Sequence, residues 1–187
     1  MRKTIVTGVL LLMLLSSIAP AAAHTLYSMP DGMPVSTACR VWVDGQELRV
    51  IDTAVNLTRV WTSRPPTTTA PVVRFGIDGT AEIKVRFIGQ TIDAAVVRPL
   101  ALGIEPIIGG DTVSFTLEHP AQLTVEINGV QNGALHLFAE TTDTDIPVGV
   151  NVIVYEDGLH EVGTVELQSG QTVYLHPGAV VRGQFVA

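Results

Sequence analysis

Residues 151–183, NVIVYEDGLHEVGTVELQSGQTVYLHPGAVVRG, decide the fold. They contain four short apolar runs, at 152–155, 162–167, 173–175 and 179–181, each separated from the next by a turn built on Gly, Asp, Ser or Pro. No run is long enough for an ordinary helix, and β-branched residues dominate. Short strands with glycine at most corners are typical of a parallel β-solenoid, whose coils bury their apolar faces only against neighbouring coils. The sequence therefore predicts the first coils of a parallel β-helix at 148–187.

Upstream of these coils, the chain has the pattern of an antiparallel β-sandwich. The segment 81–87, AEIKVRF, alternates apolar and charged residues, as expected of a strand with one buried face. The dipeptides Asp44-Gly45 and Asp78-Gly79 lie between strand-like runs and indicate hairpins. Further strands are predicted at 40–43, 47–51, 72–77, 94–97, 112–117, 123–127 and 134–138. Because no helical periodicity appears, the prediction is an all-β protein, with an antiparallel β-sandwich at 24–147 and the first coils of a right-handed parallel β-helix at 148–187.

Turn and strand residues of the C-terminal stretch occur in an order known from one class of enzymes. The segments are YxxGxHxVG at 155–163, LxSGQTVYL at 167–175 and PGAVVxG at 177–183. Together they resemble the entrance to the β-helix of secreted polysaccharide hydrolases, the dextranase-like and polygalacturonase-like glycoside hydrolases of families 49 and 28. The resemblance covers roughly residues 38 to 183, and in the dextranase-like enzymes a β-sandwich precedes the helix. It implies a carbohydrate enzyme whose catalytic carboxylates lie on later coils, beyond Ala187.

Residues 1–23 have the three parts of a secretory signal peptide. Arg2 and Lys3 form a basic start, an apolar core follows at 5–15, and Ala21-Ala22-Ala23 is a small-residue cleavage site. A membrane anchor is the rival interpretation, but the apolar core is shorter than the roughly 20 residues that a span needs. We therefore expect a secreted or periplasmic protein with a domain boundary in the polar segment 141–147.

The charge of the chain limits its partners. Loss of 1–23 removes two positive charges and no negative ones, so the net charge falls from −7 to −9. An acidic exported protein does not favour nucleic acid or an anionic membrane as a partner. The same charge favours a neutral glycan over a polyanion such as pectate. Cys39 is alone in the sequence, so no internal disulfide forms, and a buried inert thiol is favoured over a nucleophile or an intermolecular disulfide.

One turn concentrates residues that carry chemistry. Glu156, Asp157, His160 and Glu161 lie within six positions and could form a metal site or an acid–base pair. The favoured interpretation is a solvated coil corner, because glycoside hydrolysis needs two carboxylates that flank a cleft at a defined separation.

The linker and a loop carry two weaker signals. Asp143 and Asp145 alternate in the linker, but calcium takes six to eight oxygen ligands and the segment lacks the glycine-punctuated acidic loop that supplies them. Asn56-Leu57-Thr58 is a glycosylation sequon, which matters only in a source that glycosylates.

His24 would be the first residue after signal cleavage. An N-terminal histidine on a secreted β-sandwich can bind copper through its amine and its ring, as in the lytic polysaccharide monooxygenases. A second histidine must complete that site, and the candidates are His119, in a turn before Pro120, and His136, on a predicted strand.

Four aromatic residues could stack on sugar rings: Trp42, Trp61, Tyr27 and Tyr155. Trp42 lies between two valines on a predicted strand and therefore points to the opposite face, where packing is favoured over a binding platform.

The sequence thus predicts the N-terminal, non-catalytic portion of an exported polysaccharide-degrading glycoside hydrolase of the β-helix type. This portion is expected to carry no catalytic residue, metal site or cofactor, and to self-associate through the open end of its last coil. The partner is a polysaccharide, bound through the full-length enzyme. The alternative is a standalone secreted carbohydrate-binding or adhesion module, and a copper-dependent polysaccharide oxygenase is a more remote one. A lyase, which shares the β-helix architecture, stays open.

Overall fold

The computed structural model describes residues 24–27, 29–55, 69–142 and 146–187, and within them the fold is all-β, as predicted. The described strands are β1 (Cys39–Val43), β2 (Gln46–Leu48), β3 (Ile51–Ala54), β4 (Thr69–Ile77), β5 (Ala81–Phe87), β6 (Ala95–Arg98), β7 (Ile107–Gly109), β8 (Thr112–Leu117), β9 (Ala121–Ile127), β10 (Val130–Thr141), β11 (Val152–Tyr155), β12 (Gly158–Glu166), β13 (Thr172–Leu175) and β14 (Ala179–Val186). A single 3-10 turn, Leu100–Leu102, lies between β6 and β7. No helix in these ranges is long and apolar enough to cross a membrane.

Several features of the sequence lie outside the described residues. They are the signal peptide at 1–23, the sequon at Asn56, Trp61, and the linker residues Asp143 and Asp145. Their predicted roles, and the predicted boundary at 141–147, stay predictions.

The first sheet has the strand order β2-β1-β5-β8-β7, and all its pairings are antiparallel. Strand β5 is at its centre and alternates strictly between buried and exposed positions. Ile83 and Val85 are fully buried, whereas Glu82, Lys84 and Arg86 point to the outer face. The alternation predicted for 81–87 is therefore confirmed.

The second sheet has the order β3-β4-β10-β9-β6 and is mixed. Strand β10 pairs antiparallel with β9 but parallel with β4, with Leu137 opposite Val73. The prediction of a purely antiparallel arrangement is wrong at this pairing. The physical reason is that side chains alternate between faces in both kinds of strand, so the alternation that identifies a strand does not give its direction.

The two five-stranded sheets share one hydrophobic core. Phe75, Leu135 and Leu137 come from the second sheet, Ile83 and Val85 from the first, and all five are completely buried. Burial of a side chain of this size contributes about 1.5–3 kcal/mol relative to leaving it exposed. The core therefore holds both sheets as a rigid support for the side chains on their outer faces.

The C-terminal residues form two parallel strand pairs. Strand β11 pairs with β13, and β12 pairs with β14 through a register shift between Glu161 and Gly163. Gly183 of β14 lies so close to β12 that an added Cβ would collide with the carbonyl oxygen of Gly163. Within 146–187, Ala179 is the one buried apolar side chain. The runs predicted at 152–155, 173–175 and 179–181 all lie in these strands.

Candidate functional site

The acidic turn at 156–157 joins neighbouring strand pairs. The carboxylate of Asp157 accepts a hydrogen bond from the backbone N–H of Gly178 at 2.9 Å. The ring of His176 lies between two carboxylates, with Nε2 3.2 Å from Glu156 and Nδ1 3.5 Å from Asp157. Both carboxylates are largely exposed and meet one histidine rather than opposite walls of a cleft. This arrangement links the turn between β11 and β12 to the turn between β13 and β14, and the sequence analysis did not include His176 in it.

The remaining members of that turn have structural partners too. The Nε2 atom of His160 is 2.7 Å from the backbone oxygen of Glu156, and its ring packs edge-on against Tyr155. Glu161 accepts a hydrogen bond from Arg182 on the adjacent strand at 2.9 Å. The ring of Tyr155, which was predicted as a possible sugar-stacking residue, thus packs against His160 of the same chain.

His24 pairs with an aspartate. Its Nε2 atom lies 2.6 Å from the carboxylate of Asp44, and its side chain is 5 % exposed. The contact is a close approach rather than a well-aligned hydrogen bond, since neither ring nitrogen has a hydrogen bond of good geometry. His119 is exposed in its turn, and His136 is half-buried on β10. The described part of the chain holds no group of three His, Cys, Asp or Glu side chains suited to a metal ion.

Cys39 is buried at the start of β1, as predicted, with 2 % of its surface exposed. Burial raises the pKa of its thiol to about 12, and the negative charge of Asp52 adds to the rise. Because the thiolate is the nucleophilic form, this cysteine is chemically inert near neutral pH.

Trp42 lies on the outer face of the first sheet between two cations. The guanidinium carbon of Arg40 is 5.4 Å from the centre of its ring, and the Nζ atom of Lys84 is 5.9 Å from it. Arg40 also forms two hydrogen bonds of 2.6 Å with the carboxylate of Glu47, and these bonds lower the pKa of Glu47. The indole is half-exposed, so it packs against charged neighbours and not in the core.

The strand register places Trp42 in a row that crosses all five strands of the first sheet. Trp42 is opposite Glu47 on one side and Lys84 on the other, Lys84 is opposite Ser114, and Ser114 is opposite Ile107. Adjacent members of such a row are about 4.8 Å apart along the direction of the strand hydrogen bonds.

A groove of ≈ 650 Å³ opens at the β7 end of this row, and we call it the β7–β8 groove. Its floor includes Ser114, Thr116 and Glu82 on the outer face of the sheet. One wall runs from the last residue of the 3-10 turn, Leu102, to the first residue of β7, Ile107, and these two side chains are 46 % and 70 % exposed.

Four carboxylates line the groove: that of Asp44, which lies 2.6 Å from the Nε2 atom of His24, and those of the three glutamates Glu82, Glu105 and Glu118. The three glutamates are exposed, and no described residue forms an ion pair or a side-chain hydrogen bond with them. The sequence analysis did not identify this site, because its residues come from four separate segments and share no motif.

No protein-family model matches the sequence, and no curated protein matches it. Among solved structures, the chain is similar to the dextranase Dex49A from Penicillium minioluteum, a β-helix glycoside hydrolase, with a TM-score of 0.55 and 14 % sequence identity. The similarity covers 85 % of this chain and 44 % of that enzyme chain, so this chain spans less than half of its length. At this identity the likeness concerns the fold alone: this chain is all-β and resembles the matched part of Dex49A in fold.

Proposed function

We propose that this chain is the non-catalytic N-terminal portion of an exported polysaccharide-degrading glycoside hydrolase. In this proposal the two sheets at 24–147 form a β-sandwich, and 148–187 form the first coils of a β-helix. The observation that carries it is the extent of the likeness to Dex49A. Residues 1–147 are 79 % of the 187 residues, so a match over 85 % of the chain must extend into 148–187.

The carboxylates with known partners support a non-catalytic role. A glycosidase needs a general acid whose pKa is raised and a second carboxylate across the scissile bond. Hydrogen bonds from Arg40 and Arg86 lower the pKa of Glu47 and of Asp111, which is opposite to what a general acid requires. Glu156 and Asp157 are engaged with His176. Catalysis is therefore assigned to a part of the whole enzyme outside this chain.

The test is catalytic silence. Purified residues 24–187 should release no reducing sugar from dextran, pullulan or polygalacturonate, because we assign no pair of carboxylates to acid and base roles among the described residues. If the chain were catalytic, the unpaired glutamates of the β7–β8 groove would be the first candidates for the acid and the base. Turnover that Glu82→Gln or Glu118→Gln abolishes would show that this chain is itself an enzyme and would refute the proposal.

A standalone carbohydrate-binding module is the second candidate, and the outer face of the first sheet favours it. The two candidates differ in the coding sequence after codon 187. A reading frame that continues in short glycine-punctuated strands with pairs of aspartates supports the enzyme, and a stop codon supports the module.

A further inference from the structure

We propose that the β7–β8 groove and the row leading to Trp42 bind a neutral polysaccharide chain. This inference rests on the proposed function and adds the class of ligand and the place where it lies. It assigns a binding role to the first sheet, separate from any catalytic site of the whole enzyme.

The size and the apolar wall of the groove fit a sugar chain. A volume of ≈ 650 Å³ lies within the range of about 300–1,000 Å³ that ligand sites occupy. Leu102 and Ile107 expose large aliphatic side chains along one wall, whereas most side chains of this kind in the two sheets are buried in the core. The carbon-bound hydrogens of a pyranose ring form apolar patches that pack against such side chains.

The polar lining fits hydroxyl groups. An ionised carboxylate only accepts hydrogen bonds, whereas a sugar hydroxyl donates one, and bonds to an ionised acceptor are roughly twice as strong as neutral ones. Glu82, Glu105 and Glu118 supply three such acceptors without partners among the described residues. Ser114 and Thr116 add hydroxyls on the groove floor, which both donate and accept.

The charges select against an acidic polysaccharide. Three unpaired carboxylates repel a uronate or sulfate group within the groove. The arginines of the same face are already engaged, Arg40 with Glu47 and Arg86 with Asp111, each at 2.6 Å. A polyanion therefore meets repulsion inside the groove itself, and the unpaired cation of the path, Lys84, lies on the row outside it; a neutral chain is not repelled at either place.

The row extends the groove into a longer path. Trp42 is three strands from Ile107, which places it about 14 Å away across the sheet. A chain that lies across the strands would leave the groove over Ser114, pass Lys84 and reach the half-exposed indole. The ammonium group of Lys84 has three donors and no ion-pair partner among the described residues, so it can bond to sugar oxygens.

The experiment uses affinity electrophoresis of residues 24–187 in gels containing dextran, pullulan or polygalacturonate. We expect retardation by at least one neutral glycan and none by polygalacturonate at equal mass and ionic strength. The variant Glu82→Gln/Glu118→Gln should weaken binding about tenfold, since it removes two ionised acceptors. Trp42→Ala should weaken it several-fold because it removes the end of the path.

Glu166→Gln is the control for the loss of a glutamate charge away from the site, because it removes one such charge from an exposed position on β12, outside the groove. It should bind like the unmodified protein, and equal thermal midpoints verify that all variants are folded. Binding that survives both groove substitutions and Trp42→Ala unchanged refutes the inference. No binding to either neutral glycan, or stronger binding of polygalacturonate, also refutes it. Sugar release by the chain would refute the proposed function instead, leaving the location of binding to be judged by the variants.

Discussion

The two sheets and the C-terminal strand pairs are built from the same kinds of residue but bury them to different extents. Leu137 of β10 is completely buried, whereas Leu175 of β13 is 45 % exposed. Val85 of β5 is likewise buried, whereas Val186 of β14 is 47 % exposed. The sheets cover each other, but no second layer of the described residues buries the parallel pairs to the same extent. An apolar strand therefore gains stability from the layer that faces it and not from its sequence alone.

The largest expected effect tests this comparison directly with one substitution in each region. Leu137→Ala should lower the free energy of unfolding by about 2–5 kcal/mol, because it leaves a cavity in a closed core. Leu175→Ala should lower it by less than about 1 kcal/mol, because the side chain is nearly half in water. Urea titration of both variants provides the measurement. Equal losses would mean that β13 is as well covered as β10, and the comparison would fail.

A smaller effect concerns how the C-terminal pairs are held without a core. Gly183→Ala places a Cβ against the backbone of Gly163 and 2.6 Å from the Val162 side chain, so β12 and β14 must separate. We expect a local loss of about 1–3 kcal/mol, which is the usual cost of overpacking. Amide hydrogen exchange in β12 and β14 measures it.

Gly109→Ala on β7 is the control for that substitution. A Cβ at Gly109 meets nothing within 4 Å, so exchange rates and stability should change by no more than about 0.5 kcal/mol. If both substitutions are equally harmless, close backbone approach does not hold the C-terminal pairs together.

The smallest effect concerns the exclusion of water from the thiol of Cys39 in the first sheet. The pKa of Cys39 rises from its ordinary 9.0 to about 12 in the folded protein, so the unfolded chain loses this proton at lower pH. The unfolded state is then favoured as the pH rises from about 9 toward 12, and the contribution is about 1 kcal/mol at pH 10. Stability measured from pH 8 to 10 should fall less steeply in Cys39→Ala. An identical slope in that variant would indicate that water reaches the thiol.

Local patterns predicted the strands well where alternation was strong, as at 81–87 and at the Asp44-Gly45 hairpin. These patterns did not predict the point at which the chain passes from the first sheet to the second. The run 47–51 was predicted as one strand, but β2 ends at Leu48 in the first sheet and β3 begins at Ile51 in the second. Strand β7 was missed because it has three residues, all exposed, and so carries no burial pattern.

The candidate site could be predicted even less, because it depends on register. The sequence analysis singled out Glu156, Asp157 and His160, which are neighbours along the chain. Lys84 and Ser114 are thirty positions apart and become neighbours only through the pairing of β5 with β8. Neither segment alone determines the register of the pair. The register depends on how the buried side chains of both strands pack together in the sheet.

The parallel pairing of β4 with β10 has a consequence for the order in which the protein folds. Everything from β5 to β9 lies between these strands in the sequence, and Arg74 meets Glu140 only after that whole segment is in place. Contacts this distant require the chain to close a large loop before they give any stability, which slows folding. During synthesis, β4 can pair only with β3 until the ribosome has released β10, which ends at residue 141. We therefore expect the joining of β4 and β10 to be a late event, after the hairpins of the first sheet have formed.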